Sequence, residues 1–251
     1  MEQRRVNFFL FPSSLLTMHR MLLPPDSAMI GVVHRDPDGE RRLLAALEAR
    51  RPDLITLEVS RYAIDFRQQR GAELLARLEA ATPPGRAEHG EMQAIRETLR
   101  VPFEARAAWK YAETHAAAIE LVDDSELSRE LLAEVESELL TPENLRALVE
   151  RPDVPLTRAV DSFYRRTRRL LADEPVAPAR LGFSPARFAL LEVRDENMEI
   201  AIRRALAAHP GARWLHVGGV FHILRVRGLR LLWERFADEG VARFFLDEWS
   251  G

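Results

Sequence analysis

Cysteine is absent from this chain of 251 residues. Without thiols the protein cannot hold a disulfide framework, a thiolate zinc site, an iron–sulfur cluster or a cysteine nucleophile. Any metal site in it must therefore be built from nitrogen and oxygen ligands.

A marked excess of charge of either sign is also missing. The 36 Lys and Arg residues and 39 Asp and Glu residues give a formal net charge of −3, and Lys110 is the single lysine. A nearly neutral chain lacks the electrostatic surface with which proteins wrap nucleic acid, so we expect no nucleic-acid partner. The arginine-rich run 165–169 then predicts the solvated face of a helix.

Long hydrophobic runs are missing too. No window approaches the ~20 apolar residues of a membrane span, so no such span is expected. Pro12, Ser13 and Ser14 interrupt the apolar stretch near the N-terminus, and no small-residue cleavage site follows it. This pattern favours a structural N-terminal arm or hairpin over a signal peptide. A cytoplasmic location is the expectation that follows.

The residues that are present predict one α/β domain spanning residues 1–251. Hydrophobic residues make up 47% of the chain, enough for one substantial core. Buried strands alternate with helical patterns, which indicates a mainly parallel central sheet with flanking helices. Two almost purely helical stretches, about 63–105 and 124–185, are interpreted as insertions that form a helical cap. The predicted strands are Ala28–Val33, Asp53–Glu58, Ala118–Asp123 and Arg213–Val217.

Polar side chains follow the predicted strands at the points where the strands end. Two Gly-x-x-His sequences end in His34 and His222, Glu58 ends the second strand, and Asp123 ends the third. The ligand crevice of an open parallel sheet lies outside the carboxyl ends of its strands, so these groups are expected to converge. Imidazole and carboxylate ligands suit zinc, manganese, cobalt or iron.

Each of these residues also has a purely structural interpretation. Taken alone, His34 is interpreted as a surface histidine. Asp123 is interpreted as the cap of a helix that begins near Ser125. Glu58 is costly to bury at the end of an apolar strand unless it is paired, and Arg61 is the nearest candidate for a structural ion pair. His216 falls inside the fourth strand and is predicted to be a core or interface histidine.

A charged pair stands out on the helix predicted between Ser184 and about His209. Asp195 falls within the apolar stripe of this helix, and Arg194 flanks it. Either this pair is an ion pair that holds the helix against the sheet, or it lies beneath the site expected at the strand ends. In the second case, Arg194 orients a substrate carbonyl or phosphate and Asp195 supports a histidine. The stripe consists of Phe188, Leu191, Met198, Ile202 and Leu206.

Four motifs in this order resemble the TraB/Tiki family, which includes pheromone-shutdown proteins and the Wnt-inactivating Tiki proteases. The resemblance covers about residues 28–225. It consists of the order of the four motifs and their approximate spacing, both of which match the family pattern. The motifs are Gly31-Val-Val-His34, Glu58-Val-Ser-Arg61-Tyr62, Arg194-Asp195-Glu-Asn-Met198 and the glycine-rich strand exit before His222.

The resemblance implies the α/β fold of erythromycin esterase-like proteins (EreA/ChaN-like). It also implies a divalent metal, manganese or cobalt with zinc as a further option, and a hydrolytic activity that includes proteolysis in some relatives. Carried over to this chain, His34, Glu58 and His222 are the metal or catalytic groups. Glu58 also counts as catalytic together with three supporting residues, Arg61, Arg194 and Asp195.

Three positions depart from the family pattern. Val32 replaces a small hydroxyl residue, Val193 replaces a glutamate, and Phe221 replaces a glycine and is expected to narrow the crevice beside His222. The leading hypothesis is a metal-dependent hydrolase of a peptide or small molecule. Two alternatives stay open: an inactive ligand- or peptide-binding protein of the same fold, and a metal-independent, esterase-like hydrolase. A homo-oligomer is compatible with each.

Overall fold

The computed structural model describes residues 23–249. The N-terminal arm or hairpin expected from the sequence falls mainly on residues 1–22, outside this range. Among the helices described, none is long and apolar enough to cross a membrane.

A parallel five-stranded sheet forms the centre of the described chain, which confirms the predicted α/β class. The strand order is β3-β2-β4-β1-β5, so β4 lies between β2 and β1. Every residue of β1, β2 and β4 is buried, as expected for parallel strands covered on both faces. The strands are β1 Ala28–Val32, β2 Leu54–Leu57, β3 Ala118–Leu121, β4 Trp214–Gly219 and β5 Ala242–Phe245.

Strand β5 is absent from the sequence prediction. It lies at the edge of the sheet and pairs with β1. Its Arg243 donates to both carboxylate oxygens of Glu174, at 2.8 and 2.5 Å, and to the carbonyl oxygen of Ile223 at 2.7 Å. This residue thereby ties the edge strand to the connection after α7 and to the turn after β4.

Nine α-helices connect or flank the strands within residues 23–249. Two of the helices begin at a capping hydroxyl, because the side chains of Thr141 and Ser184 accept the amide hydrogens of Asn144 and Arg187. The helices are α1 Gly39–Arg50, α2 Arg61–Ala81, α3 Gly90–Leu99, α4 Phe103–His115, α5 Ser125–Glu134, α6 Pro142–Val149, α7 Leu156–Ala172, α8 Pro185–Ala208 and α9 Leu232–Phe236.

The two stretches expected to form a helical cap are largely helical. Their buried residues, such as Leu74, Leu132 and Tyr164, belong to the same hydrophobic core as the sheet. Tyr164 on α7 accepts the amide hydrogen of Val33 at 3.0 Å, which fixes α7 against the carboxyl end of β1. The arginines of the run 165–169 are exposed on α7, as predicted.

Candidate functional site

Three neighbouring strands place His34, Glu58 and His222 at one edge of the sheet. His34 follows β1 by two residues, Glu58 follows β2 directly, and His222 lies in a short 3-10 helix, Val220–Ile223, directly after β4. Because β4 lies between β2 and β1, the carboxyl ends of these strands bring the three side chains together, as the sequence predicted.

Glu58 is the centre of this cluster, with only 5% of its surface exposed. Its Oε2 accepts the amide hydrogen of Gly219 at 2.5 Å. Its Oε1 lies 2.8 Å from Arg194 Nη2 and 3.0 Å from His222 Nε2. Burial alone would raise the pKa of this carboxyl, but the charges of His222 and Arg194 outweigh it and hold the pKa well below its ordinary value.

His222 is buried between two carboxylates. Its Nδ1 contacts Asp195 Oδ1, and its Nε2 faces Glu58. Asp195 is itself fully buried and accepts the amide hydrogen of Leu232 at 2.7 Å through its second oxygen. Burial alone would lower the pKa of His222, but the combined effect of the two carboxylates is larger and raises it to about 10. The predicted support of a histidine by Asp195 is therefore present in the structure.

His34 is the accessible histidine of the cluster, with half of its side-chain surface exposed. Its Nδ1 lies 2.7 Å from Glu104 Oε1, and its Nε2 lies 3.9 Å from Glu58 Oε2. Desolvation lowers the pKa of His34, but the hydrogen bond to Glu104 and the charge of Glu58 raise it above its ordinary value.

Glu104 is a site residue that sequence reasoning missed. It lies in the first turn of α4, is 1% exposed, and has apolar buried neighbours in Phe103 and Ala105. A carboxylate on the buried face of a helix was the signal available in the sequence, because such a group needs a partner in the interior.

Arg194 connects Glu58 to Asp123. Its Nε and Nη2 donate to the two oxygens of Asp123, each at 2.8 Å. The interpretation of Asp123 as a helix cap is wrong, because the neighbouring Asp124 accepts the first amide hydrogens of α5. Asp123 instead fixes the guanidinium that faces Glu58, since a bidentate pair constrains both position and plane.

Arg61 lies apart from the cluster. It is the exposed first residue of α2 and lines neither of the cavities next to Glu58. The interpretation of Glu58 as the partner of Arg61 is wrong, because Arg194 occupies that role. From this position no contact with the cluster supports the role predicted for Arg61, which stays a prediction.

The two glycines that end β4 leave room for the cluster. A Cβ on Gly218 would lie 2.7 Å from His216 Nε2 and 2.9 Å from Glu58 Oε2. A Cβ on Gly219 would lie 2.9 Å from His34 Nε2. Close approach of functional side chains to the strand backbone therefore requires glycine at both positions.

His216 is a core histidine, as predicted. It is fully buried, and its Nδ1 lies 3.0 Å from the hydroxyl oxygen of Thr56. The same oxygen accepts the indole N–H of Trp214 at 2.9 Å. Burial lowers the pKa of this imidazole to about 3.

Two cavities meet at the cluster, one of about 540 Å³ and one of about 300 Å³. His34, Glu58 and Arg194 line both of them. Phe221 forms part of the wall of the larger cavity, where its ring packs on those of Phe163 and Phe183.

The other two departures from the family pattern differ in position. Val32 lines the larger cavity. Val193 is 56% exposed on α8 and lines neither cavity. Of the three departures, only Val32 and Phe221 therefore bear on what enters the site.

The donor set fits a divalent cation in its chemistry. The Nε2 atoms of His34 and His222 both face the Glu58 carboxylate, while each Nδ1 is held by another carboxylate, an arrangement that orients histidine ligands. Glu58 Oε1 is buried without an aligned hydrogen bond. Within residues 23–249, however, no three His, Asp or Glu side chains are gathered closely enough to enclose an ion, and Arg194 lies on one side of Glu58.

No family model, curated protein or solved structure matches this chain significantly. The TraB/Tiki resemblance and the EreA/ChaN-like arrangement therefore stay predictions. The function must be argued from the site itself.

Proposed function

We propose that this protein is a hydrolase that cleaves an ester or amide bond at the cluster of His34, Glu58 and His222. One observation carries the proposal. Two imidazoles, each held at Nδ1 by a carboxylate, present Nε2 to a third carboxylate at the meeting point of two cavities. Groups held in this way are suited to proton transfer at a fixed position.

His34 is the residue suited to act as general base. Its side chain is half exposed and lines both cavities, so water and substrate reach it. Glu104 holds Nδ1 and stabilises the imidazolium that forms when Nε2 takes a proton from water. The guanidinium of Arg194 lies beside the same cavities, where it stabilises negative charge on the carbonyl oxygen.

His34, Glu58 and His222 are also the residues that would hold a manganese, cobalt or zinc ion. Such an ion, when bound, supplies a water of lowered pKa and polarises a carbonyl group. In that case Asp195 and Glu104 orient the two imidazoles, and Arg194 stays paired with Asp123.

A metal-independent hydrolase is the second candidate, and one observation favours it. The charge of Glu58 is already compensated by Arg194 at 2.8 Å and His222 at 3.0 Å. His34 then carries the base chemistry alone, and Glu58 serves to position the two histidines.

Hydrolysis of 4-nitrophenyl butyrate and of a peptide 4-nitroanilide tests both candidates. We expect His34→Gln to lower kcat/KM at least about 100-fold, because general-base catalysis contributes about 10²–10⁴-fold. His209→Gln is the matched control, since His209 lies at the end of α8 and lines neither cavity. Equal rates in wild type and His34→Gln would overturn the hydrolase proposal.

Chelator treatment separates the two candidates. Loss of activity that manganese or cobalt restores supports the metal-dependent form, whereas full activity in chelator supports the metal-independent form. Thermal unfolding gives a readout besides activity. Manganese is expected to raise the Tm of wild type but not of Glu58→Gln, and an equal rise in both would contradict metal binding at Glu58.

A further inference from the structure

The larger cavity is suited to an apolar group. Three aromatic rings form part of its wall, with centroids 5.6 Å apart for Phe163 and Phe221 and 4.9 Å apart for Phe183 and Phe221. Leu170 and Leu191 extend this wall, and two exposed arginines, Arg166 and Arg187, also line the cavity. Contacts of this type recognise the bulk of an acyl or aryl group, since burying apolar surface is favourable.

The smaller cavity is lined by a fixed cation that forms no ion pair with any residue the structure describes. Arg67 lines it and donates from Nε to the carbonyl oxygen of Thr98 at 2.9 Å and from Nη1 to that of Ala63 at 3.0 Å. These contacts fix the guanidinium, and within residues 23–249 no carboxylate forms an ion pair with it. Glu104 acts on it only through its charge, at longer range. Arg100, which lines the same cavity, is by contrast paired with Glu97 at 2.6 Å.

Arg35 adds a second cation near the junction. It is exposed and lines both cavities, and no ion pair involves it in the described part of the chain. Three carboxylates line the smaller cavity, and each is already paired: Glu58 with Arg194 and His222, Asp123 with Arg194, and Glu97 with Arg100. The charge left over in the smaller cavity is therefore positive, and it favours an anionic group.

We propose that the substrate is an amphipathic acyl compound whose apolar acyl group occupies the larger cavity and whose anionic leaving group lies in the smaller cavity against Arg67 and Arg35. The proposal rests on the proposed hydrolase function. The scissile bond then lies at the junction, beside His34 and Glu58, which line both cavities.

The chemistry at this bond is ordinary hydrolysis. The water oxygen bonds to the acyl carbon, and the bond from that carbon to the leaving nitrogen or oxygen breaks. The leaving atom takes a proton through His34. The products are a fatty or aromatic carboxylic acid and a small anionic amine or alcohol, and no oxidant or other co-reactant is needed.

Calorimetric binding to the His34→Gln variant tests the charge preference without turnover. The probes are N-decanoylglycine, N-decanoyl-O-phosphoethanolamine and the neutral N-decanoylglycinamide. We expect the anionic probes to bind at least about tenfold more tightly than the neutral one, because a charge-assisted hydrogen bond to guanidinium is lost in the amide. The carboxylate and phosphate probes show which anion is preferred.

Matched variants assign this preference to the cavities. Arg67→Gln, added to His34→Gln, is expected to reduce the difference between charged and neutral probes at least about fivefold, with Arg35 providing the remainder. Arg77→Gln should preserve it, since Arg77 lies on the same helix, is paired with Glu136 and lines neither cavity. Phe183→Ala should reduce the advantage of decanoyl over acetyl probes about tenfold, whereas Phe66→Ala, a half-buried phenylalanine outside both cavities, should not.

The two proposals fail in different ways. Equal binding of charged and neutral probes, or an unchanged preference in Arg67→Gln, overturns the assignment of substrate class, even if 4-nitrophenyl butyrate hydrolysis depends on His34. Charge-selective binding that requires Arg67, without hydrolysis of any probe by the wild type, supports the ligand class and overturns the hydrolase function. Circular dichroism and thermal unfolding of each variant confirm that it is folded.

Discussion

At the scale of single residues, the site is a set of carboxylates that each hold a cationic or imidazole partner. Glu58 and Asp195 are buried, a position that costs free energy unless the charge is compensated. Arg194 and His222 provide that compensation. Removing one partner therefore leaves an unpaired charge, and conservative substitutions are the informative ones.

Glu104→Gln isolates the contact that fixes His34. The amide preserves the volume but loses the negative charge that holds Nδ1 at 2.7 Å. We expect kcat/KM to fall about 10- to 100-fold, the effect typical of removing a residue that orients a functional histidine. Steady-state kinetics measure this, with Glu113→Gln on the exposed face of α4 as the control. Full activity in Glu104→Gln would show that the contact does not serve the chemistry.

His216 predicts an acid-side loss of stability. The unfolded chain protonates this imidazole below about pH 6.5, whereas the folded protein does so only near pH 3. The free energy of unfolding therefore falls as the pH drops from 6.5 towards 3. Urea unfolding across this range should give a shallower slope against pH for His216→Gln than for wild type. His209→Gln serves as a control, and identical slopes in all three proteins would refute the assignment.

The rule that polar side chains converge at the carboxyl ends of parallel strands predicted part of the site but not all of it. It brought His34, Glu58 and His222 to one edge because parallel strands share the direction of their carboxyl ends. It did not find Glu104, because this residue lies on a helix. The helix reaches the site through tertiary packing, which the positions of the strands do not indicate. It misjudged Arg61, since the first turn of α2 turns that side chain to solvent. Proximity in sequence therefore did not predict the ion-pair partner of Glu58.

At the scale of elements, the carboxyl end of β4 is the most constrained backbone in the site. The added methyl of Gly219→Ala would meet the half-exposed His34, which can move aside. That of Gly218→Ala would meet the buried Glu58 and His216, which cannot. The two neighbouring glycines therefore have separable roles.

Alanine at each glycine tests this difference. Gly219→Ala should lower kcat/KM about 100-fold with little change in Tm, because a displacement of about 1 Å is enough to disrupt catalysis. Gly218→Ala should lower both kcat/KM and Tm. Kinetics and thermal unfolding of the two variants side by side measure the contrast, and a larger Tm loss in Gly219→Ala would contradict it.

The three central strands were predictable from their apolar sequences, and so was the edge strand β3, but the edge strand β5 was not. β1, β2 and β4 are buried on both faces, and their sequences are mostly apolar, with Thr56 and His216 as the polar side chains. β5 has four residues, of which three are only half buried and one is Arg243. A segment of four residues is too short to show a hydrophobic period that separates a strand from a loop.

At the scale of the whole molecule, Arg243 connects parts of the chain that are distant in sequence. Arg243→Gln removes the paired contact to Glu174 in a largely buried setting, and we expect the free energy of unfolding to fall by about 2 kcal/mol. Arg213→Gln is the matched control, because it breaks an equally bidentate pair with Asp53 that is exposed and should matter far less. Urea unfolding compares them, and equal losses would contradict the distinction.

The central position of β4 has a consequence for how the molecule is made. β1 and β2 both pair with β4, yet β4 begins only at Trp214, after most of the chain has left the ribosome. Until then the two earlier strands have no common neighbour and expose unpaired edges to the cell. Folding that depends on such distant contacts is slow, so nascent chains of this protein are expected to rely on chaperones.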